Sequence, residues 1–203
     1  LLRIPFGGWV DTNGGRKPFL ILMWLSFLGM LGLLLVISFW YPHGLTVNLY
    51  PLLLLLGVLC GCGIATFSVG IGQVSYWFPQ ERQGAALGAY AGLGNLAPGL
   101  FSFLLPVVLQ NWGLQTAYLA WLVFLGVGVF LYHRLGLDAP YFQAMRLMHS
   151  QKQAFADSEP IDIRQAMKAA QEHGQQIFPK GNATQSLAAA ARLPKTWMLV
   201  AVY

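Results

Sequence analysis

Charge is scarce in this sequence. Asp, Glu, Lys and Arg together make up 9% of the 203 residues, against roughly 25% in an ordinary soluble domain. Histidine is thin as well, and His43, His133, His149 and His173 all fall outside the long apolar runs or at their ends. A membrane enzyme or metal-dependent sensor needs acids, histidines or metal ligands inside its spans, so this pattern argues against both, and no cofactor is expected. Cysteine is limited to Cys60 and Cys62, two positions apart in LCGCG and therefore on nearly opposite helix faces, which disfavours a disulfide or metal pair and makes them small packing residues. Alternating strand patterns of the barrel type are lacking, which leaves helices as the spanning element. An initiator Met is lacking too. Leu1–Val10 reads as the tail of a span and TWMLVAVY as the start of another, so the chain is expected to be a piece of a larger protein.

What is present is apolar. Hydrophobic residues make up 56% of the chain, with a mean hydropathy of +0.55. Uncharged stretches near 18–40, 46–76, 83–110 and 114–132 are each long enough to cross about 30 Å of hydrocarbon as helix. The expected fold is an all-α polytopic membrane protein.

The connections are sorted by charge. DTNGGRKP, FPQERQG and a long polar segment over 136–195 hold every Lys and Arg except Arg3, whereas YPHGLT and QNWGLQ hold none. Under the positive-inside rule, the loops at 11–17, 78–83 and 136–195 are cytoplasmic. The net charge of +5 then reflects topology and contact with lipid, not a nucleic-acid footprint. Three regions follow: a transmembrane bundle over 1–135, a cytoplasmic linker over 136–195 and the start of a further span over 196–203. Within the linker, IDIRQAMKAAQEHGQQIF predicts a short surface helix after Pro160, while AFADSEP and FPKGNAT read as turns. The glycosylation sequon Asn182-Ala183-Thr184 is silent on that side. The linker reads as a tether between two bundles, with a regulatory or docking role as the alternative.

Arg3 stands apart. It lies eight residues before Asp11, a helical rise of about 12 Å, which places it near mid-membrane. A charge there costs at least about 2.5–3.5 kcal/mol, so it should face the protein interior or a watery cavity and have a partner. No other Asp, Glu, Lys or Arg lies inside a predicted span. The partner is either an acid beyond this chain or a bound anion, and a guanidinium suits a planar oxyanion through two parallel hydrogen bonds.

Two further patterns surround it. Gly84, Gly88 and Gly92 recur every four residues, as do Gly57, Gly61 and Ala65, and such stripes let helices approach closely. Packing does not account for Asn95, expected to be a buried amide between Gly94 and the helix-bending Pro98.

Gly7, Asp11, Gly14, Arg16 and Lys17 resemble the cytoplasmic loop between the second and third spans of major facilitator superfamily transporters, with Gly15 as an extra residue before the basic pair. LLRIPFG, the GGRK loop, IATFSVGIGQVSYWFPQERQGAALG and AGLGNLAPG together resemble the nitrate/nitrite porter family of that superfamily, collinearly over residues 1 to about 110. The resemblance implies the N-terminal helical bundle of that fold, incomplete here, and transport rather than enzymatic chemistry. It further implies secondary active transport of nitrate or nitrite across the inner membrane by alternating access, in a protein that works as a monomer. Arg3 would bind the anion, Phe67 would flank it, Asn95 would line the pocket and Gly92 and Gly94 belong to the same signature. The loop of Gly7, Asp11, Gly14, Arg16 and Lys17 would steady the conformational switch. Ala91 stands where some members carry a further glycine, which narrows or repositions the cavity. Protons are the candidate coupling ion, although the lack of protonatable residues inside the spans favours nitrate/nitrite exchange. A transporter of another small anion or of organic solutes is the alternative; it need not keep Arg3 and AGLGN together.

Overall fold

The computed structural model describes residues 3–155, 162–179, 188, 190–194 and 196–198. The sequon at 182–184, Lys195 and residues 199–203 of the expected further span lie outside the described residues. Every regular element among the described residues is helical: α1 (Arg3–Asn13), α2 (Arg16–Trp40), α3 (Tyr50–Trp77), α4 (Gln80–Leu135), α5 (Pro140–Phe155) and α6 (Ile163–Glu172), with a 3-10 turn at Val47–Leu49. Arg16–Trp40, Val47–Trp77 and Gln80–Leu135 are long and apolar enough to cross a membrane.

Helix starts follow local chemistry. Pro18 sits in the first turn of α2 and Pro51 in that of α3, where a missing N–H costs no hydrogen bond. Phe78 and Pro79 are extended, as the residue before a proline and a helix N-cap tend to be, and they separate α3 from α4. A straight α4 of 56 residues would be about 84 Å long, far beyond one crossing. Gly113 resolves this with φ 80° and ψ 174°, which breaks the helix into two limbs. The two stretches expected at 83–110 and 114–132 are these limbs, and QNWGLQ is a one-residue break rather than a loop.

The pairings are antiparallel. Gly29 lies against the Cys60 backbone and Gly63 against Ser26, so α2 and α3 run opposite ways. Gln115 donates to Ser38 at 2.8 Å and Arg16 to the His133 carbonyl at 2.8 Å, so the second limb of α4 runs back along α2. Tyr90 meets Gly70 while Gln83 donates to the Ser75 carbonyl at 2.8 Å, which sets the first limb antiparallel to α3. These pairings gather the three charged connections at one end of the bundle and the uncharged ones at the other.

The buried core joins Val10 of α1, Leu22 of α2 and Cys62, Ala65, Val69 and Tyr76 of α3 to Ala139 and Phe142 at the start of α5. Both cysteines are free; Cys62 is in this core and Cys60 packs by its backbone against Gly29. The 136–195 segment therefore differs from a mere tether. Its first turn completes the core of the spanning bundle, and it carries a second helix, α5, where only a polar stretch was expected. The helix expected after Pro160 forms, over Ile163–Glu172, capped by Asp162, whose carboxylate accepts from Arg164 N–H at 2.9 Å.

Candidate functional site

Two groups of residues merit a functional reading, one at the charged end and one inside the bundle. At the charged end, α1 continues through Asp11 to Asn13, and α2 starts at Arg16. The sequence suggested a loop over 11–17; the turn is only Gly14 and Gly15. Asp11 is held in the last turn of α1, and Arg16 and Lys17 begin α2, because two glycines suffice to reverse the chain. Gly14 adopts φ +82°, a conformation that disfavours residues with a side chain, and so acts as the αL stop of α1. Its N–H returns to the Val10 carbonyl at 3.0 Å. A Cβ on Gly15 would meet the Gln73 side chain at 2.8 Å, so the extra glycine of this turn leaves room for that residue of α3.

Polar bonds tie this turn to three other segments. Tyr76 at the end of α3 donates to Asp11 Oδ1 at 2.7 Å. Gln73 donates to the Leu137 carbonyl and accepts from Tyr132, both at 2.7 Å. Arg146 of α5 donates to the Asn13 carbonyl at 3.0 Å. Asp138 accepts from the Arg16 N–H at 2.7 Å, and its other oxygen lies 2.6 Å from Arg146 Nη2. That second contact is an ion pair without hydrogen-bond alignment, so charge rather than a directed bond compensates the oxygen. Tyr141, packed against Phe142 and Phe178, has its phenol pushed up by burial. Lys17 and Gly7 stand aside: Lys17 is exposed, and a Cβ on Gly7 would meet nothing within 4 Å.

Inside the bundle, Phe67 of α3 faces the glycine-rich part of α4. Its ring stacks on Tyr90 with centroids 5.5 Å apart and planes 26° apart. A Cβ on Gly94 would lie 4.0 Å from Phe67 Cε2, so the aromatic and the AGLGN element meet across two helices. Asn95 follows directly. It is exposed rather than buried, and its amide makes no hydrogen bond among the described residues. The correction has a simple cause: Phe67 only grazes this stretch of α4, at Gly94, and Gly92, Gly94 and Asn95 all remain exposed among the described residues. Pro98 has no N–H to offer the Gly94 carbonyl four residues back, which leaves that acceptor free beside the amide. Arg3 is the first described residue of α1, and its side chain lies outside the described part. The structure thus joins Phe67 to Gly94 and leaves the geometry of Arg3 open.

The helix-packing expectation needs a second correction. Among the described residues, a Cβ on Gly57, Gly61, Gly84 or Gly88 would meet nothing within 4 Å. Close approach occurs instead at Gly29, where a Cβ would come 2.6 Å from Cys60 N and 2.8 Å from the Leu56 carbonyl, and at Gly63 and Gly70. Periodicity marks a smooth face, but it does not say which neighbour fills it. Sequence reasoning also passed over Tyr90, Gln73 and Asp138. Asp138 had a signal, since GLDAPYF places an Asp two residues before a proline that opens a helix.

Long apolar helices packed in antiparallel order define a multi-span integral membrane protein. Within that class the match is specific: the family model described as Major Facilitator Superfamily covers residues 1–199, and the chain belongs to that superfamily. It is 32% identical over 111 residues to the nitrate/nitrite transporter NarU of Salmonella typhimurium, covering 54% of this chain and 22% of that protein. It is 31% identical over 113 residues to NarU of Escherichia coli, with the same shares. Over 136 residues it is 33% identical to the probable nitrate transporter NarT of Staphylococcus carnosus, covering 67% of this chain and 32% of NarT. The chain therefore spans between about a fifth and a third of the length of these relatives. No solved structure matches it.

Proposed function

We propose that this protein carries nitrate or nitrite through the membrane by alternating access, with the anion held near mid-membrane by Arg3, Phe67, Asn95 and the backbone at Gly92 and Gly94. The observation that carries the reading is the meeting of Phe67 with Gly94 across α3 and α4. An aromatic face next to the AGLGN element and its uncommitted amide supports an anion position between two bundles that rock about their substrate. The names of the relatives support the anion.

The chemistry is consistent. Nitrate is planar, small and singly charged, so a guanidinium binds it through paired hydrogen bonds, an aromatic ring covers its face and excludes water, and an amide donates to a third oxygen. Residues 1–135 form the N-terminal bundle, 136–195 link it onward and 196–203 open a further span. The charged end, with loops 11–17, 78–83 and 136–195, faces the cytoplasm from the inner membrane. Gly7, Asp11, Gly14, Arg16 and Lys17, in and around the two-glycine turn, steady the switch between states.

The test is counterflow of labelled nitrate against internal nitrite in proteoliposomes, with and without a pH gradient. Uptake driven by internal nitrite alone supports exchange, and uptake that requires the gradient supports proton coupling. Arg3→Lys keeps the charge but loses the fork, and it should reduce uptake by about tenfold or more. Full nitrate uptake by that variant would remove Arg3 from the site, and uptake of organic solutes but not nitrate would overturn the substrate.

A further inference from the structure

Asp138 has an environment that its place in a polar connection does not require. Its side chain is 0% exposed, although it lies outside the spanning helices, in the four-residue connection between α4 and α5. A buried carboxylate is costly unless several groups compensate it, and here each comes from a different segment. The Arg16 N–H, the first of α2, donates to Oδ1 at 2.7 Å. Arg146, one helix later in the chain, stands 2.6 Å from Oδ2 and also donates to the Asn13 carbonyl.

The geometry of the turn is complementary. Gly15 precedes α2 and offers no side-chain cap, so the N-terminus of this spanning helix is capped from 122 residues away. The N-terminal end of the helix dipole and the guanidinium both set positive charge beside its oxygens. Gly14 leaves room for it: a Cβ there would lie 2.6 Å from Oδ1 and 3.1 Å from the Phe142 ring. Beside this contact, Arg16 donates to the His133 carbonyl and Gln73 to the Leu137 carbonyl, both in the chain just before Asp138. The end of α4, the connection and the start of α5 are all fastened to the same two-glycine turn.

We propose that Asp138 is a positioning residue of the transport cycle, fastening α5 to the α1–α2 turn so that the turn and the first part of the 136–195 segment move as one body. Separating them would leave a carboxylate and an N-terminal N–H unpaired, so the clamp persists through the cycle instead of opening in each turnover. The segment beyond α5 is then mechanically coupled to the switch turn. Asp138 touches no part of the proposed anion site and acts only through Arg16 and Arg146. The proposal rests on the transport reading for its functional half, while its structural half can be measured without transport.

The experiment uses the whole protein in proteoliposomes, comparing wild type with Asp138→Ala, Asp138→Asn, Arg146→Gln and the Asp138→Asn/Arg146→Gln pair. Hydrogen–deuterium exchange over residues 14–18 should rise about tenfold or more in Asp138→Ala. Asp138→Asn, which keeps an oxygen for the Arg16 N–H, should be intermediate. The maximal rate of nitrate exchange should fall by about tenfold, with KM changed less than about twofold. The double variant should recover part of that rate relative to Asp138→Asn, because it no longer leaves an unpaired guanidinium over the turn. Gly14→Ala, which crowds the carboxylate and also strains the turn at φ +82°, gives a second route to the same signature if Asp138→Ala does not fold. Unchanged exchange over 14–18 in Asp138→Ala and Gly14→Ala would overturn the clamp. A raised KM at unchanged maximal rate would overturn the positioning role and place Asp138 at the anion path. If wild type carries no nitrate, the transport reading fails while the exchange data still decide the clamp.

Discussion

Tyr90 fills the space that a side chain on residue 70 would need. A Cβ placed on Gly70 would collide with the Tyr90 hydroxyl oxygen and with the ring carbon that bears it. Gly70 is buried, and the same Tyr90 ring stacks on Phe67. One glycine therefore sets the position of the aromatic pair beside Gly94 and Asn95.

Gly70→Ala should accordingly displace Tyr90 and disturb Phe67 without unfolding the bundle. Overpacking of this type costs about 1–3 kcal/mol, which a shift of the thermal midpoint in detergent would record. Adding Tyr90→Leu to Gly70→Ala should restore most of the midpoint, since the obstructing phenol is gone, but not the nitrate affinity if the stacked pair shapes the site. Equal midpoints for the single and double variants would show that the two positions are independent.

The α2–α3 contact allows a sharper comparison. Gly29 faces the Cys60 N and the Leu56 carbonyl, which are backbone and cannot yield, whereas Gly32 faces the Leu56 side chain, which can rotate. Gly29→Ala should be destabilising by about 2–3 kcal/mol or more and Gly32→Ala by about 1 kcal/mol. Gly57→Ala and Gly88→Ala, with nothing within 4 Å, should leave the fold of this bundle unchanged. Denaturation in mixed micelles followed by tryptophan fluorescence would rank the four. A larger loss at Gly57 than at Gly29 would mean that the open stripe carries the packing.

Some of this was legible in the residues and some was not. Span positions were, because about twenty uncharged residues in a row satisfy a one-dimensional requirement that composition reports directly. The grouping of the charged connections followed from the same logic. The break at Gly113 was foreseen as a connection, although a single positive-φ glycine does the work expected of a loop. What the residues concealed was lateral. Gly29 and Gly57 look alike along the chain, and only the crossing of α2 over α3 shows which one meets a backbone. Asp138 was hidden for a related reason: its partners, Arg16 and Arg146, lie on opposite sides of it in sequence and come together only when α4 returns alongside α2. Asn95 was expected to be buried from its apolar neighbours, yet it is exposed on α4.

That exposure makes Asn95 a clean probe of the anion site. Because its amide holds no other described residue, Asn95→Ala should leave the stability within about 0.5 kcal/mol of wild type. Loss of one hydrogen bond to a charged ligand is worth about 1.5–3 kcal/mol, so nitrate affinity should drop by roughly ten- to a hundredfold. Asn95→Asp, which sets a negative charge against the anion, should lower it further. Isothermal titration with nitrate would measure both, and wild-type affinity in Asn95→Asp would remove this residue from the path.

The last contact to test joins α1 to α3 at the charged end. Tyr76 donates to Asp11 Oδ1 at 2.7 Å, and its ring meets the Phe142 edge with centroids 5.3 Å apart at 81°. Tyr76 is buried, so Tyr76→Phe keeps the aromatic packing and strips only the hydroxyl. A hydrogen bond to a carboxylate contributes about 1.5–3 kcal/mol, and Tyr76→Phe should lose an amount at the lower end because Asp11, only half-buried, regains water. Asp11→Asn retains an oxygen acceptor and should lose less than Tyr76→Phe. If the two residues act through this bond, the double variant should be no less stable than Tyr76→Phe alone, a coupling of about 1 kcal/mol in a double-mutant cycle. Strictly additive losses would mean that Asp11 is held by the turn itself and that Tyr76 contributes through its ring.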